Sequence, residues 1–331
     1  MTRLFSALRG KTVLVTGGTG SFGNALIDSL EGHDVNVAVY SRDEKKQHEM
    51  YLGKKNPNVS YVIGDIRDRE KLASAMRGCD LVFHAAALKH VPVGEQFPEE
   101  VIATNVLGTK NVLDMAEFVG VEKVINISTD KAVEPVNAYG MTKALAEKLV
   151  TARSGQTQFV NLRYGNVLGS RGSVVPLFLD QISSAKPLTV THEQMTRFLM
   201  PLAHAVLLVD KCVRDGANGD LFVIRSPAAT VDTVIQALEL HYGRSLTRKT
   251  IGIRPGEKMH EVLLTSEEER RAQTQTEGMV TFSRIPRKEA HINDFFEGDP
   301  ASMPPAFTSE IAQRMDARAT LALMHEAKLL A

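Results

Sequence analysis

The sequence predicts an α/β fold built on a doubly wound parallel sheet with a second, smaller lobe. Three observations predict it. Strand-like apolar runs alternate with helix-length segments through the first half, a glycine-rich turn follows the first run directly, and the alternation breaks after Asn166. The runs are Thr12 to Thr16, Val35 to Tyr40, Ser60 to Ile63, Leu81 to His84, Lys123 to Ser128 and Gln158 to Arg163. Helices are expected at Phe22 to Leu30, Asp43 to Leu52, Arg69 to Met76, Glu99 to Phe118 and Tyr139 to Ser154. Beyond Asn166 come SRGSVVP, a short strand at Pro187, the MTRF segment and a last sheet-like run at Leu221 to Ile224, so the second half crosses between two lobes. Residues 1–165, with about 198–226, are assigned to the larger domain, and 166–197 and 227–331 to the smaller lobe with a C-terminal arm. From Ser266 to Pro305 the chain is polar without sustained periodicity, which predicts an arm or covering loop instead of a core element. The charge run Glu267 to Arg271 reads as a solvated helix end.

Composition excludes several classes. At 331 residues the chain can bury a sizeable core. Lys plus Arg equals Asp plus Glu at 39 each, so no global field draws it to nucleic acid or an anionic membrane, and an anionic ligand must be held locally. Two cysteines, Cys79 and Cys212, cannot build a disulfide framework or a structural zinc site, which fits a reducing cytoplasm. MTRLFSALRG holds too short an apolar stretch for a signal peptide, and no run approaches the roughly 18 apolar residues of a membrane span. His48 and Glu49 lack the second histidine of a metalloprotease, and no metal site is expected.

The first strand runs straight into GGTGSFG and a helix, placing Gly17, Gly20 and Gly23 where a backbone turns tightly and approaches a pyrophosphate at a helix N-terminus. This is a Rossmann-type dinucleotide loop, and the other lobe becomes a smaller α/β substrate-binding lobe. Its GxxGxxG spacing resembles that of short-chain dehydrogenase/reductases of the extended type. Thr19, Ser21 and Phe22 in the loop, Ile66 beside Asp65, and Ala86 after the fourth run are included among the cofactor-binding positions. The second run ends in Ser41 and Arg42, with Lys45 and Lys46 beyond, where an NAD enzyme usually offers a carboxylate. These cations, Arg42 and Lys46 foremost, favour the 2′-phosphate of NADP over NAD. Asp43 is either a ribose acceptor or a helix cap. Asp65 stands where this family holds the adenine edge, or caps the next helix.

Tyr139-x-x-x-Lys143 puts a phenol and an ammonium on one helix face. It resembles the short-chain dehydrogenase/reductase active site, in which the lysine, Lys143 here, also a cofactor contact, lowers the tyrosine pKa. A phenol titrates near ~10 in water, and a neighbouring cation favours phenolate. Upstream stands Ser128-Thr129-Asp130-Lys131, where sugar-nucleotide 4,6-dehydratases carry Thr-Asp-Glu; this chain has lysine in third place. With AAALKHVP (85–92), TNVLGT (104–109), RYGNVLGSRGSVVP (163–176), MTRF (195–198) and RPGEKMHE (254–261), the chain resembles the inverting UDP-N-acetylglucosamine 4,6-dehydratases. The resemblance covers nearly the whole chain, is closest from Thr12 to Phe198, and after Glu267 rests only on FTS at Phe307 to Ser309.

That resemblance implies roles. Tyr139 deprotonates the sugar 4-hydroxyl while hydride passes from C4 to NADP, and Thr129 hydrogen-bonds that oxygen. Lys131 takes the C5 proton, its pKa expected to fall beside Lys143 and the nicotinium charge. Asp130 protonates the leaving 6-hydroxyl, hydride returns to C6, and protonation of C5 from the opposite face gives an L-configured 4-keto-6-deoxy sugar. Without the resemblance, Asp130 and Lys131 are equally a loop salt bridge. For the UDP-sugar diphosphate, the resemblance implies Asn166, Arg197, and Arg254 with Glu257; Lys89 sits in the loop over nicotinamide and sugar. Arg197 and Arg254 read otherwise as buried interdomain ion pairs. The expectation is a cytoplasmic, homo-oligomeric enzyme with no nucleic-acid partner or membrane insertion. A nucleotide-sugar 4-epimerase, a 5,6-dehydratase and a non-catalytic NADPH-binding scaffold are the alternatives. The Asp130-Lys131 pair argues against the first.

Overall fold

The computed structural model describes residues 4–54, 56–170, 172–278, 280–287, 299 and 302–330. The first half is a series of strand–helix units: β1 (Thr12–Thr16), α1 (Ser21–Leu30), β2 (Asn36–Ser41), α2 (Glu44–Gly53), β3 (Val59–Ile63), α3 (Arg69–Met76), β4 (Leu81–His84), α4 (Val91–Gln96), α5 (Pro98–Ile102), α6 (Thr109–Val119), β5 (Lys123–Ile127), α7 (Ala138–Ala152) and β6 (Gln158–Arg163). The second half adds β7 (Asn166–Val167), α8 (Val174–Ser183), β8 (Leu188–Val190), β9 (Thr196–Met200), α9 (Leu202–Asp215), β10 (Leu221–Ile224), β11 (Ala228–Thr230) and α10 (Val231–Tyr242). It closes with β12 (Arg248–Thr250), β13 (Val262–Leu264), α11 (Ser266–Arg271), β14 (Gln273–Glu277), β15 (Val280–Ile285), β16 (Phe307–Thr308) and α12 (Ala317–Glu326).

The main sheet runs β14-β15-β10-β6-β5-β4-β1-β2-β3, parallel from β3 to β10. Strand order reverses between β1 and β4, which opens a ligand crevice at their carboxyl ends. The period of two sends Val13, Val15, Phe83 and Ile125 to one face, in a cluster with Leu26 and Val209. Leu14, Val82 and Val124 face the other way, in a cluster with Leu72, Val112 and Leu113. Helix starts are set by side chains: Asp43, Asp68 and Asn137 accept from the backbone amides of Lys46, Lys71 and Gly140. The smaller lobe holds the β11-β9-β7 sheet and the β8–β12 and β13–β16 pairs around Phe178, Ile235, Leu238 and Met324.

The predicted α/β doubly wound architecture is what forms, with three corrections. The helix expected over Glu99 to Phe118 is broken: α5 leads into a π-helical turn at Ala103–Gly108 before α6 begins. The stretch expected to be a polar arm contains β15, which pairs antiparallel with β10 and buries Val280, Phe282 and Ile285. It extends the main sheet, whereas the sequence placed 227–331 in the smaller lobe; residues 279, 288–298, 300–301 and 331 of that range lie outside the described residues. The run Glu267 to Arg271 is helical but not simply solvated. Glu268 pairs at 2.9 Å with Arg163, which is 3% exposed and also holds Glu147 at 2.6 Å, and Glu269 pairs with Arg225 at 2.8 Å. The burial of Val280, Phe282 and Ile285 against β10 outweighs the polar composition on either side of β15.

Phe282→Ala is expected to cost about 3 to 5 kcal/mol in chemical denaturation, the range for truncating a buried aromatic; an unmoved midpoint would remove β15 from the core. A second prediction concerns His84, which bridges Thr16 at 2.7 Å and Thr109 at 2.9 Å. Burial, aided by Lys143, brings its imidazole down to about 3 from 6.5. The unfolded chain therefore takes up this proton first, so stability should fall as pH drops below 6.5, by about 1.4 kcal/mol per unit. In His84→Gln the slope of stability against pH should lose this one-proton contribution.

Candidate active site

The β1–α1 turn gathers Gly17, Thr19, Gly20, Ser21, Phe22 and Gly23 at the crevice. Gly17 has φ +67°, and a Cβ on it would stand 2.7 Å from the Ala86 backbone nitrogen, so only glycine lets the β1 and β4 loops close together. Thr19 Oγ1 lies 2.9 Å from Ser41 Oγ, joining the turn to the end of β2. Arg42 meets Asp65 at 3.3 Å and Lys46 pairs with Asp43. Of the two roles open to Asp43, the structure shows the cap of α2. Asp65 is not a cap, since Asp68 fills that place. Burial opposes its ionisation, but hydrogen bonds from Arg67 and the charges of Arg67 and Arg42 hold its carboxyl below the ordinary range. Ile66 is 4% exposed and belongs to the core cluster, and a Cβ on Gly108 would stand 2.6 Å from its Cδ1; its side chain serves packing.

Asn105, which sequence reasoning left without a role, orders the loop after β4. Its side chain donates to Leu88 O at 2.9 Å, accepts from Leu88 N at 2.9 Å and reaches Thr142 Oγ1 at 3.1 Å. It sits in the π-helical turn, 1% exposed. This clamp fixes the loop carrying Ala86 and the exposed Lys89.

After β5 the chain makes a tight turn at Asp130–Ala132, capped by Thr129. Helix α7 then packs on that turn, and a Cβ on Gly140 would lie 2.2 Å from Lys131 O. Tyr139 is thereby delivered beside Thr129, Asp130 and Lys131, and Lys143 under the end of β5. Asp130 Oδ1 accepts from Thr129 Oγ1 at 2.9 Å and from Lys131 Nζ at 3.1 Å. Lys143 Nζ donates to Ile127 O at 2.7 Å. Asp130 Oδ2, Ser128 Oγ, Asn166 Oδ1 and Glu261 Oε2 are buried with no hydrogen-bond partner among the described residues. Such orphaned polar atoms at the end of a crevice, with a glycine cradle that a Cβ would fill, fit a polar ligand and a dinucleotide.

Charge at the site differs from expectation in two respects. Burial alone lowers the Lys131 ammonium, but Asp130 and Glu261 together raise it above its ordinary value. The expected fall beside Lys143 does not occur, because these carboxylates are the close charges: Glu261 Oε1 lies 3.5 Å from Lys131 Nζ. It is Lys143 that is lowered, to about 8, by burial, against the pull of Glu147. Burial pushes the Tyr139 phenol up to about 12, Asp130 adds to this, and Lys131 and a Thr129 hydrogen bond oppose it. Lys131, not Lys143, is thus the cation acting on the phenol in this structure. Burial raises the Asp130 carboxyl against the opposing charge of Lys131, and Glu261 raises it further.

The proposed substrate anchors divide. Arg197, on β9, donates to Thr196 O at 2.7 Å and stands 3.7 Å from Glu261, so it is partly buried and paired within the smaller lobe, not across the two lobes. Arg254 is 49% exposed and meets Glu257 loosely at 3.9 Å, which leaves its guanidinium at the surface and excludes a buried pair. The loop carrying Arg254 and Glu257 is tied to the segment that leads into α7: Asn137 Nδ2 donates to Gly256 O at 2.8 Å and Lys258 Nζ to Val133 O at 2.6 Å. Asn166 lies on β7, beside β9.

Comparison with known proteins places this geometry. A protein called UDP-glucose 4-epimerase from Rickettsia akari is 44% identical over 320 residues, covering 92% of this chain and 93% of its own. The X-ray structure of Pen from Bacillus thuringiensis superposes with a TM-score of 0.85 at 34% identity, covering 96% of this chain and 99% of that one. DesIV, a dTDP-glucose 4,6-dehydratase from Streptomyces venezuelae solved with NAD, shares the fold with a TM-score of 0.69 at 23% identity, covering 75% of this chain and 86% of its own. Residues 13–283 match the family model described as polysaccharide biosynthesis protein. From the glycine turn through α7 to β15, this chain belongs to the polysaccharide biosynthesis protein family.

Proposed function

We propose that the protein is an NADP-dependent enzyme that dehydrates UDP-N-acetylglucosamine across C5 and C6 with inversion at C5, giving UDP-2-acetamido-2,6-dideoxy-β-L-arabino-hexos-4-ulose. The observation that carries this reading is the pairing of buried Asp130 with partly buried Lys131, an acid and a candidate base within reach of Tyr139. Names of relatives support a nucleotide-sugar enzyme, and they include both 4-epimerases and 4,6-dehydratases. Epimerisation needs only the C4 chemistry of Tyr139 and Lys143; a buried carboxyl–amine pair has work to do only if C5 and C6 also react.

The dinucleotide would rest on Gly17–Gly23, with Ala86 beside it, Lys143 near its nicotinamide ribose, and Arg42 and Lys46 at a 2′-phosphate. Bound NADP supplies hydride acceptance from C4 and return to C6. Tyr139 takes the 4-hydroxyl proton, and Thr129 hydrogen-bonds the same oxygen. The salt bridge becomes a working acid and base by moving one proton the 3.1 Å from Lys131 Nζ to Asp130 Oδ1. Lys131 is then neutral and takes the C5 proton, while Asp130 is protonated and gives its proton to the departing 6-hydroxyl. Burial that raises Asp130 supports this exchange. Arg197 and surface-facing Arg254, with Glu257, Asn166 and Lys89, would hold the UDP-sugar. Met141 and Leu145, one turn apart on α7 and half-exposed, support assembly with a second copy, and the reading places the enzyme in the cytoplasm.

Incubation with UDP-N-acetylglucosamine in deuterated water should give, by NMR, a new C6 methyl and solvent deuterium at C5. An inverted C4 with the C5 proton retained would identify an epimerase, and an exocyclic alkene a 5,6-dehydratase. Lys131→Ala and Asp130→Asn should each slow elimination by about 10² to 10⁴, the worth of one positioned acid or base. Both should still show single-turnover reduction of NADP by substrate, and normal elimination in Lys131→Ala would remove the lysine from the reaction.

A further inference from the structure

Glu261 belongs to neither the glycine turn nor the catalytic helix, yet its carboxylate touches the catalytic turn. It directly precedes β13, and its backbone is pinned by Ser309: Glu261 N donates to Ser309 Oγ at 2.8 Å, and Ser309 N to Glu261 O at 2.8 Å. Ser309 Oγ in turn lies 2.6 Å from Thr196 Oγ1, so the FTS segment and β9 fix the place of this glutamate. Its side chain is 4% exposed, with Oε1 3.5 Å from Lys131 Nζ and 3.7 Å from Arg197 Nε. Oε2 is buried and has no hydrogen-bond partner among the described residues. A carboxylate this deeply buried is retained only where cations hold it, and these two cations belong to the elimination pair and the β9 arginine.

We propose that Glu261 is the positioning residue of the elimination pair: from the smaller lobe it grips the Lys131 amine, joins it to Arg197, and so sets the pH range over which the Asp130–Lys131 pair holds and gives up its protons. This rests on the dehydratase reading for its consequence, though not for its geometry. The groups whose charge bears on Lys131 or answers to it are Asp130 beside it in the turn, Tyr139 on α7, Arg197 on β9, and Lys258 and Glu261 on the segment leading to β13. Among them Asp130 and Glu261 favour the ammonium and Arg197 opposes it. Glu261 also raises the Asp130 carboxyl. Removing its charge must therefore lower both members of the pair together.

The Lys131 amine is read directly by ¹³C NMR of the reductively methylated protein, its resonance assigned by its loss in Lys131→Arg. Glu261→Gln, which keeps the shape and removes the charge, should move this titration down by about one pH unit, tenfold in proton affinity. Glu261→Asp, which draws the charge back by one methylene, should give a smaller fall of the same sign and keeps the question answerable if the glutamine variant does not fold. The pH profile of dehydration should move as a whole to lower pH, since base and acid both lose their protons earlier. A role in packing alone would lower the height of the profile and leave its position. An unmoved Lys131 titration in the folded variants overturns the proposal. If the wild-type protein forms no dehydrated product, the dehydratase reading fails, and the Lys131 titration still decides the role of Glu261.

Discussion

Helix α7 reaches the Asp130–Ala132 turn only because residue 140 has no side chain, and the site depends on that approach. A methyl group there would press on the Lys131 carbonyl at 2.2 Å and force the helix away. The helix N-terminus is meanwhile held by Asn137, which caps it and at the same time donates to Gly256. One residue thus aligns the helix dipole, the phenol of Tyr139 and the loop of the smaller lobe. Close backbone packing recurs at Gly17 against Ala86, so both halves of the crevice are brought together by missing side chains.

Charge is handled by concentration. The chain is neutral overall, with 39 cationic and 39 anionic side chains, yet it places Asp130, Lys131, Arg197 and Glu261 in one largely buried cluster. A second buried set, Arg163 with Glu147 and Glu268, ties α7 and β6 to α11. The two sets differ in kind. Both carboxylates of the Arg163 set are engaged by its guanidinium, as suits a structural joint, whereas the Asp130–Glu261 set leaves one oxygen of each carboxylate without a hydrogen-bond partner among the described residues. Unspent hydrogen-bonding capacity of this kind suits a site that receives a polar ligand.

Much of this was legible in the order of residues. β1, β4, β6, β10 and α3 form over the spans their apolar patterns predict, because parallel strands buried on both faces leave continuous runs that need no tertiary context to read. The glycine turn and the Tyr139–Lys143 spacing were equally plain, being local. What escaped is what long-range contact creates. β15 follows a strand, QTQTE, whose residues are all exposed, and its partner β10 lies far back in the chain. Asn105 sits in a helical pattern that gives no sign of a π-helical turn. Glu261 closes a motif whose spacing says nothing of Lys131. The fall expected at Lys131 counts only cations, Lys143 and the nicotinium ring; Asp130, next to it in the chain, and Glu261, which the fold brings in from the other lobe, reverse it.

Pairing of β10 with β15 bears on how the chain acquires its structure. Strands β1 to β6 can assemble as soon as they are made, but the edge of β10 is not covered until residues 280–285 arrive, after β11, α10, β12 and β13 have been synthesised. During vectorial synthesis β10 waits with an open, apolar edge, Leu221 to Ile224, while the intervening chain emerges. Loop closure over that span is slow compared with neighbouring strand pairing, so the late step of biogenesis is the capture of β15. Chains interrupted before residue 280 expose that edge, and quality control that recognises unpaired apolar strands has a defined window in which to act.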